Sequence, residues 1–380
     1  MRGTIRLAVA AALVAGCGRQ NEEKCTVTPA AWNAPNWEAN AGEALALRER
    51  LTTLTGNTLM RGAETGAVSV SVSDLNAAYE AGTPSLKSAT TRSFQGVVGD
   101  AFQEFVEAVG AGAQDLVDEA GSWTPGTQGG IWTSTQKRAF NEGGLELRQF
   151  VEKALFGGAA LYHYALGSTS APISEGTVDA LAAAFGANPG LNPGRSNDPA
   201  PENRNLFSAN YVYQMGLYGQ ARQALVDAKA FASDERCIAE RDAAIQSFFR
   251  TWEQGLYSRF VFYANRAATG MAAATDDEGR ATALHDLAEG LGLAMSFHGM
   301  SLPTAGPMSG APRLMTDARI STAVSRVGID LNDLGAATTG TFVSNATGFA
   351  DAVRSAESVV VEAYGLTQEQ LAKYRSPSDG

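Results

Sequence analysis

The sequence predicts an all-α fold over residues 37–380, either one large helical domain or two helical bundles packed together. Three observations carry this expectation. Apolar residues recur at spacings of three and four, as in Leu147, Phe150, Val151, Ala154, Leu155, Gly158, Leu161 and Tyr162, which lines one face of a helix. The helix formers Ala, Leu, Glu, Gln and Arg dominate the same stretches. Strict apolar/polar alternation has one clear example, Val68-Ser69-Val70-Ser71-Val72.

Taken from the N-terminus, Arg2 and Arg6 precede an apolar run, Leu7 to Ala15, that is too short to span a bilayer stably. Residues 1–16 therefore read as a signal peptide. The run ends in Val14-Ala15-Gly16-Cys17, which resembles a bacterial lipobox; the resemblance implies cleavage before Cys17 and lipid on that cysteine. Gly18, where an Asp would retain the protein elsewhere, implies the outer membrane by the usual sorting convention. Residues 17–36 mix Gly, Gln, Asn, Pro and charge without periodicity, as expected of a lipidated N-terminus and flexible tether. With Cys17 used by lipid, Cys25 and Cys237 remain in a compartment that permits disulfides; a bridge from tether to body and two inert thiols both stay open.

Helices are expected at 38–55, 74–81, 92–120, 135–167, 174–186, 204–231, 236–270, 276–299, 314–327 and 342–364. Asp74 is a plausible N-cap for the second, with Val68 to Val72 as a short extended lead-in. Turn chemistry separates the helices. The longest break, Ala187 to Asn203, holds Asn188-Pro189-Gly190 and Asn192-Pro193-Gly194, and it divides the body into possible halves 37–186 and 204–374. Further breaks fall at 121–130 and 302–312, and all three read more simply as tolerated surface than as functional loops. The series Phe248, Phe249, Trp252, Leu256, Phe260 and Tyr263 keeps helical spacing and is expected in the core.

Loss of the signal peptide leaves 27 basic residues against 40 acidic ones, a formal charge of −13, which argues against nucleic acid as a partner. Familiar catalytic signatures are missing: the sequence has no His-Glu-x-x-His and no Gly-x-Ser-x-Gly, and Gly82 to Ser88 lacks the glycine a phosphate loop needs before its lysine. What remains is the segment Leu284 to His298. Leu284, Leu287, Leu291 and Met295 form its buried stripe, while His285, Glu289, Gly292 and Ser296 share an adjoining face. Imidazole and carboxylate four residues apart can share a metal ion, a water or a hydrogen bond, and Gly292 leaves room for a ligand or for another helix. A core histidine satisfied by Glu289, or an exposed helical pair, is the plainer alternative. His163 sits in Tyr162-His163-Tyr164, which reads as an amphipathic packing edge.

The runs Phe150-Val151-Glu152-Lys153-Ala154-Leu155-Phe156-Gly157-Gly158-Ala159 and His285-Asp286-Leu287-Ala288-Glu289-Gly290-Leu291-Gly292 resemble those of an uncharacterised bacterial lipoprotein family, the domain of unknown function 4856. Its pattern is close to His-x-x-Ser-Glu-x-x-Gly-Phe; Ala288 stands at the Ser position and Leu293 at the Phe position. More distantly, the chain is similar to the imelysin-like proteins, helical-bundle envelope proteins tied to iron or haem uptake and sometimes classed as peptidases. Their motif is Gly-x-His-x-x-Glu, whereas here Ala283 lies two before His285 and Glu289 four after it. The resemblance implies an envelope binding component for uptake of iron, haem or another divalent metal, with His285 and Glu289 as ligands, Gly292 and Ser296 lining the site, and an outer-membrane transport partner. A structural or protein-interaction lipoprotein is the alternative, and a metallopeptidase the third, though it would need a further ligand and a general base.

Overall fold

The computed structural model describes residues 24–114, 129–132, 136–330, 334 and 346–377. The signal peptide, Cys17 and most of the 121–130 break lie outside the described residues. The chain opens with α1 (Trp37–Thr55), α2 (Met60–Thr65), α3 (Val72–Glu80), α4 (Leu86–Ala89) and α5 (Arg92–Ala111). A small sheet follows, in which β1 (Ala113–Gln114) runs parallel to β2 (Gly130–Trp132), and β2 antiparallel to β3 (Arg138–Phe140) with Ile131 opposite Ala139. Then come α6 (Leu147–Ala154), a π-helical segment (Leu155–Tyr162), α7 (His163–Ser168), α8 (Glu175–Phe185), α9 (Phe207–Gln214) and α10 (Tyr218–Phe231). The C-terminal part holds α11 (Ile238–Ala273), α12 (Asp277–Met295), α13 (Asp317–Arg326), α14 (Ala346–Tyr364) and α15 (Gln368–Arg375). The all-α class expected from periodicity is what the chain adopts.

The 36 residues of α11 form the axis, with α10, α12 and α14 packed along it. Its series Phe248, Phe249, Trp252, Leu256, Phe260 and Tyr263 is buried throughout. Trp252 is edge-on to Tyr162 and Phe185, with ring centroids 5.0 Å away in each case, so the aromatic cluster ties α11 to the π segment and to α8.

Five local expectations change. The helix expected over 135–167 is three pieces plus a strand, because Gly157 adopts φ −73° and ψ −129° and breaks the ladder. Other parts of the chain satisfy the backbone groups this frees. The Gly158 amide donates to Ser296 Oγ (2.8 Å), Ser208 Oγ donates to the Phe156 carbonyl (3.0 Å), and the Thr91 amide donates to the Ala159 carbonyl (2.9 Å). Glycine is needed at 158, since a Cβ there would sit 2.7 Å from both the Phe297 ring and the Ser296 carbonyl oxygen. The helix expected over 92–120 stops at Ala111, where Gly112 turns at φ +75° into β1. The helix expected over 204–231 is divided at Gly216, which has φ +73°. Val68 to Val72 belongs to no strand among the described residues, and the N-cap of α3 is Ser71, with Asp74 returning the bond to the Ser71 amide in a capping box.

Two stretches that read as loose are fastened. In the 187–203 break, buried Asn188 and Asn205 hold the turns: Asn188 Nδ2 donates to the Asn192 carbonyl (2.8 Å), and Asn205 Nδ2 donates to the Asn192 and Gly194 carbonyls (3.0 Å each). The tether is held from Cys25 onward, because Cys25 is disulfide-bonded to Cys237 at the start of α11. Trp32 Nε1 donates to the Pro189 carbonyl (2.9 Å), and its ring lies against Lys229 Nζ at 4.5 Å.

Candidate metal centre

The face of α12 that carries His285 and Glu289 lies against α6, and both side chains belong to a charged cluster set into an otherwise apolar interface. The cluster is built from several elements. Glu146 precedes α6, Arg148, Glu152 and Lys153 ride on α6, Arg138 comes from β3, Glu64 from α2, Asp286 from α12 and Arg266 from α11.

Glu146 is fully buried and receives the His285 ring at 2.6 Å, Nδ1 to Oε2. Burial alone would raise the Glu146 carboxyl, but its hydrogen bond to His285 and the charges of His285, Arg148 and Arg138 outweigh that and hold it below the usual carboxylate range. An ionised carboxylate only accepts, so the proton on His285 sits on Nδ1. The lone pair of a neutral ring is then on Nε2, which faces Glu289 Oε2 at 3.7 Å, too far for a hydrogen bond.

Glu289 is positioned from its other oxygen. Lys153 Nζ lies 2.9 Å from Glu289 Oε1 and 3.0 Å from Glu152 Oε1. Burial would raise the Glu289 carboxyl, yet Lys153 first and His285 next pull it down to about 2. Asp286 completes the group, its ligand atom within 4.8 Å of those of His285 and Glu289. Burial pushes Asp286 up to about 6, only partly offset by Arg266, whose Nε reaches Asp286 Oδ2 at 3.1 Å.

This donor set fits a divalent transition metal: one imidazole nitrogen and two carboxylates, with the imidazole oriented by a buried carboxylate on its other nitrogen. Two ligands about 2.1 Å from a tetrahedral ion stand about 3.4 Å apart, close to the 3.7 Å between His285 Nε2 and Glu289 Oε2.

Gly292 and Ser296 take other roles than lining. A Cβ at Gly292 would lie 2.6 Å from the Phe150 carbonyl oxygen and 2.8 Å from Lys153 Cβ, so the space beside it is occupied by α6 and not by a ligand. Gly292→Ala is expected to lower stability by about 1–3 kcal/mol in chemical denaturation, because backbone has to move to admit the methyl group. Ser296, three helical turns from His285, is spent on the Gly158 amide and the Leu293 carbonyl. His163 Nδ1 lies 2.7 Å from the Ala89 carbonyl oxygen and His298 Nε2 lies 3.2 Å from Ser321 Oγ; neither joins the centre.

The sequence points to His285 and Glu289 through their spacing, but not to Glu146, Lys153, Asp286 or Arg266. One signal was available: Arg148, Glu152 and Lys153 put three charges into a helix whose other residues, Gln149 apart, are apolar and buried. Comparison with protein families, with curated proteins and with solved structures returns no match to this chain.

Proposed function

We propose that this chain is an envelope lipoprotein, anchored through lipid on Cys17, whose helical body binds a divalent metal ion for uptake at His285, Glu289 and Asp286. The observation that supports the reading is the division of labour on two side chains. His285 gives Nδ1 to Glu146 and sets Nε2 3.7 Å from Glu289 Oε2, while Glu289 gives Oε1 to Lys153 and also takes a hydrogen bond from Tyr263. Two atoms suited to one ion are thereby turned toward each other. Closure around Gly292 favours a bare ion over a macrocycle such as haem. The Lys153–Glu289 pair also favours a second reading, a purely structural brace between α6 and α12 in a lipoprotein that serves protein interaction.

Calorimetric titration of wild type, His285→Ala and Glu289→Gln with zinc, iron, copper and haem separates the two. A metal centre predicts saturable binding of a divalent ion that falls by about a hundredfold in both variants. A brace predicts no binding by any of the three proteins and lowered melting temperatures in both variants. Mass spectrometry of the N-terminal peptide from membranes reads the anchor: an acylated Cys17 is expected, and an N-terminus beginning elsewhere ends that part of the proposal.

A further inference from the structure

We infer that the Cys25–Cys237 bridge is the mechanical end of the lipid leash, so that the N-terminal end of α11 is the part of the body facing the lipid surface and the His285 centre is carried at the far end. This inference rests on lipid attachment at Cys17, and it concerns where the body meets the membrane.

The length of the leash follows from counting. Were the chain free up to Trp37, twenty peptide steps from Cys17 would give a reach of about 70 Å. The disulfide fixes the chain at Cys25, so eight steps remain, about 28 Å fully extended. Beyond the bridge the strand stays on the body through Trp32, whose ring covers Lys229 while that ammonium pairs with Asp179 at 2.5 Å, and Trp37 is buried. The residue after Cys237, Ile238, is the most exposed of the large apolar side chains among the described residues, at 48%, which suits an end held near a lipid surface.

The other end of α11 carries the candidate centre. Arg266 pairs with Asp286, and a Cβ on Gly290 would meet Tyr263, so α12 runs antiparallel to α11 with His285 level with the Arg266 turn. That turn is 28 residues beyond Ile238, roughly 40 Å along the axis. The centre is therefore farther from the bridge than the leash is long.

The test uses full-length lipidated protein in phosphatidylcholine/phosphatidylglycerol vesicles with an acceptor dye on lipid headgroups. Donors are introduced as unnatural side chains at Ala239 or Ala272, exposed positions at opposite ends of α11. The two donors stand about 50 Å apart along the helix, so energy transfer is expected to be several-fold stronger from Ala239 than from Ala272. In Cys25→Ser/Cys237→Ser, with its helical dichroism retained, transfer from Ala239 is expected to fall and the difference to narrow. Equal transfer from both donors in the bridged protein, or stronger transfer from Ala272, overturns the inference while leaving the anchor intact. Failure of wild type to float with vesicles any better than Cys17→Ser overturns the anchor itself, and the inference with it.

Discussion

Glu146→Gln is expected to lower stability by about 3 kcal/mol and, in the same protein, to weaken divalent-metal binding by about ten- to hundredfold. The two effects have separate origins. Stability is lost because Arg138, itself buried, lies 3.7 Å from the Glu146 carboxylate, and Arg148 is shared among that carboxylate, Glu64 and Glu152. Removing the negative charge leaves guanidinium charge under-compensated in a largely buried cluster. Binding is lost because a glutamine oxygen is a weaker acceptor for the Nδ1 proton, so His285 becomes a poorer and less well-oriented ligand.

The stability effect carries a pH signature. The folded-state carboxyl of Glu146 lies below its ordinary value, so its contribution is complete above the unfolded pKa of about 4.3 and is lost as pH falls from there through the folded value. Urea denaturation of wild type and variant at pH 7 and at progressively lower pH should show the difference shrinking below about pH 4.3. A stability loss with unchanged metal affinity would remove Glu146 from the centre and leave it a structural residue.

Trp252→Ala is expected to cost about 3–5 kcal/mol, the range for deleting a large aromatic side chain from a closed core. Trp252 is fully buried and touches Tyr162, Phe185 and Phe248, with centroid distances of 5.0, 5.0 and 5.5 Å, so its loss opens a cavity among three elements. Its indole Nε1 is buried without a hydrogen-bond partner, which makes Trp252→Phe the informative companion. That change removes volume but also relieves an unsatisfied donor, so its cost should fall well below that of alanine. Urea midpoints check both, and a cost under about 1 kcal/mol for Trp252→Ala would mean that the core is not organised around this ring.

Residues that act through local periodicity were legible in the sequence. Ala41, Ala44, Leu47, Leu51 and Leu54 are spaced for one face, and α1 buries all five. His285 and Glu289 were legible for the same reason, being one turn apart on a single helix. Glu146 was not: it meets His285 across 139 residues of chain and stands just outside α6, where no helical phase assigns it a face. The kink at Gly157 was also hidden, because its partners Ser208 and Ser296 come from distant elements and the small residues around it are compatible with an unbroken helix. Gly292 was found with a ligand and a helix both open as its neighbour, since a glycine that admits one and a glycine that admits the other look identical in a sequence.

The asparagine-held stretch between α8 and α9 has a consequence for cooperativity. By composition it is a place where a chain articulates, with possible halves on either side. Its turns are instead bonded to one another through Asn188 and Asn205, and Tyr218 at the start of α10 donates its hydroxyl hydrogen to Asn205 Oδ1 at 3.2 Å. Contacts of α12 with α6, and of α9 with the π segment, cross the same boundary. Ties on both sides of the stretch couple residues 37–186 to residues 204–374, so local opening on one side is expected to carry the other with it.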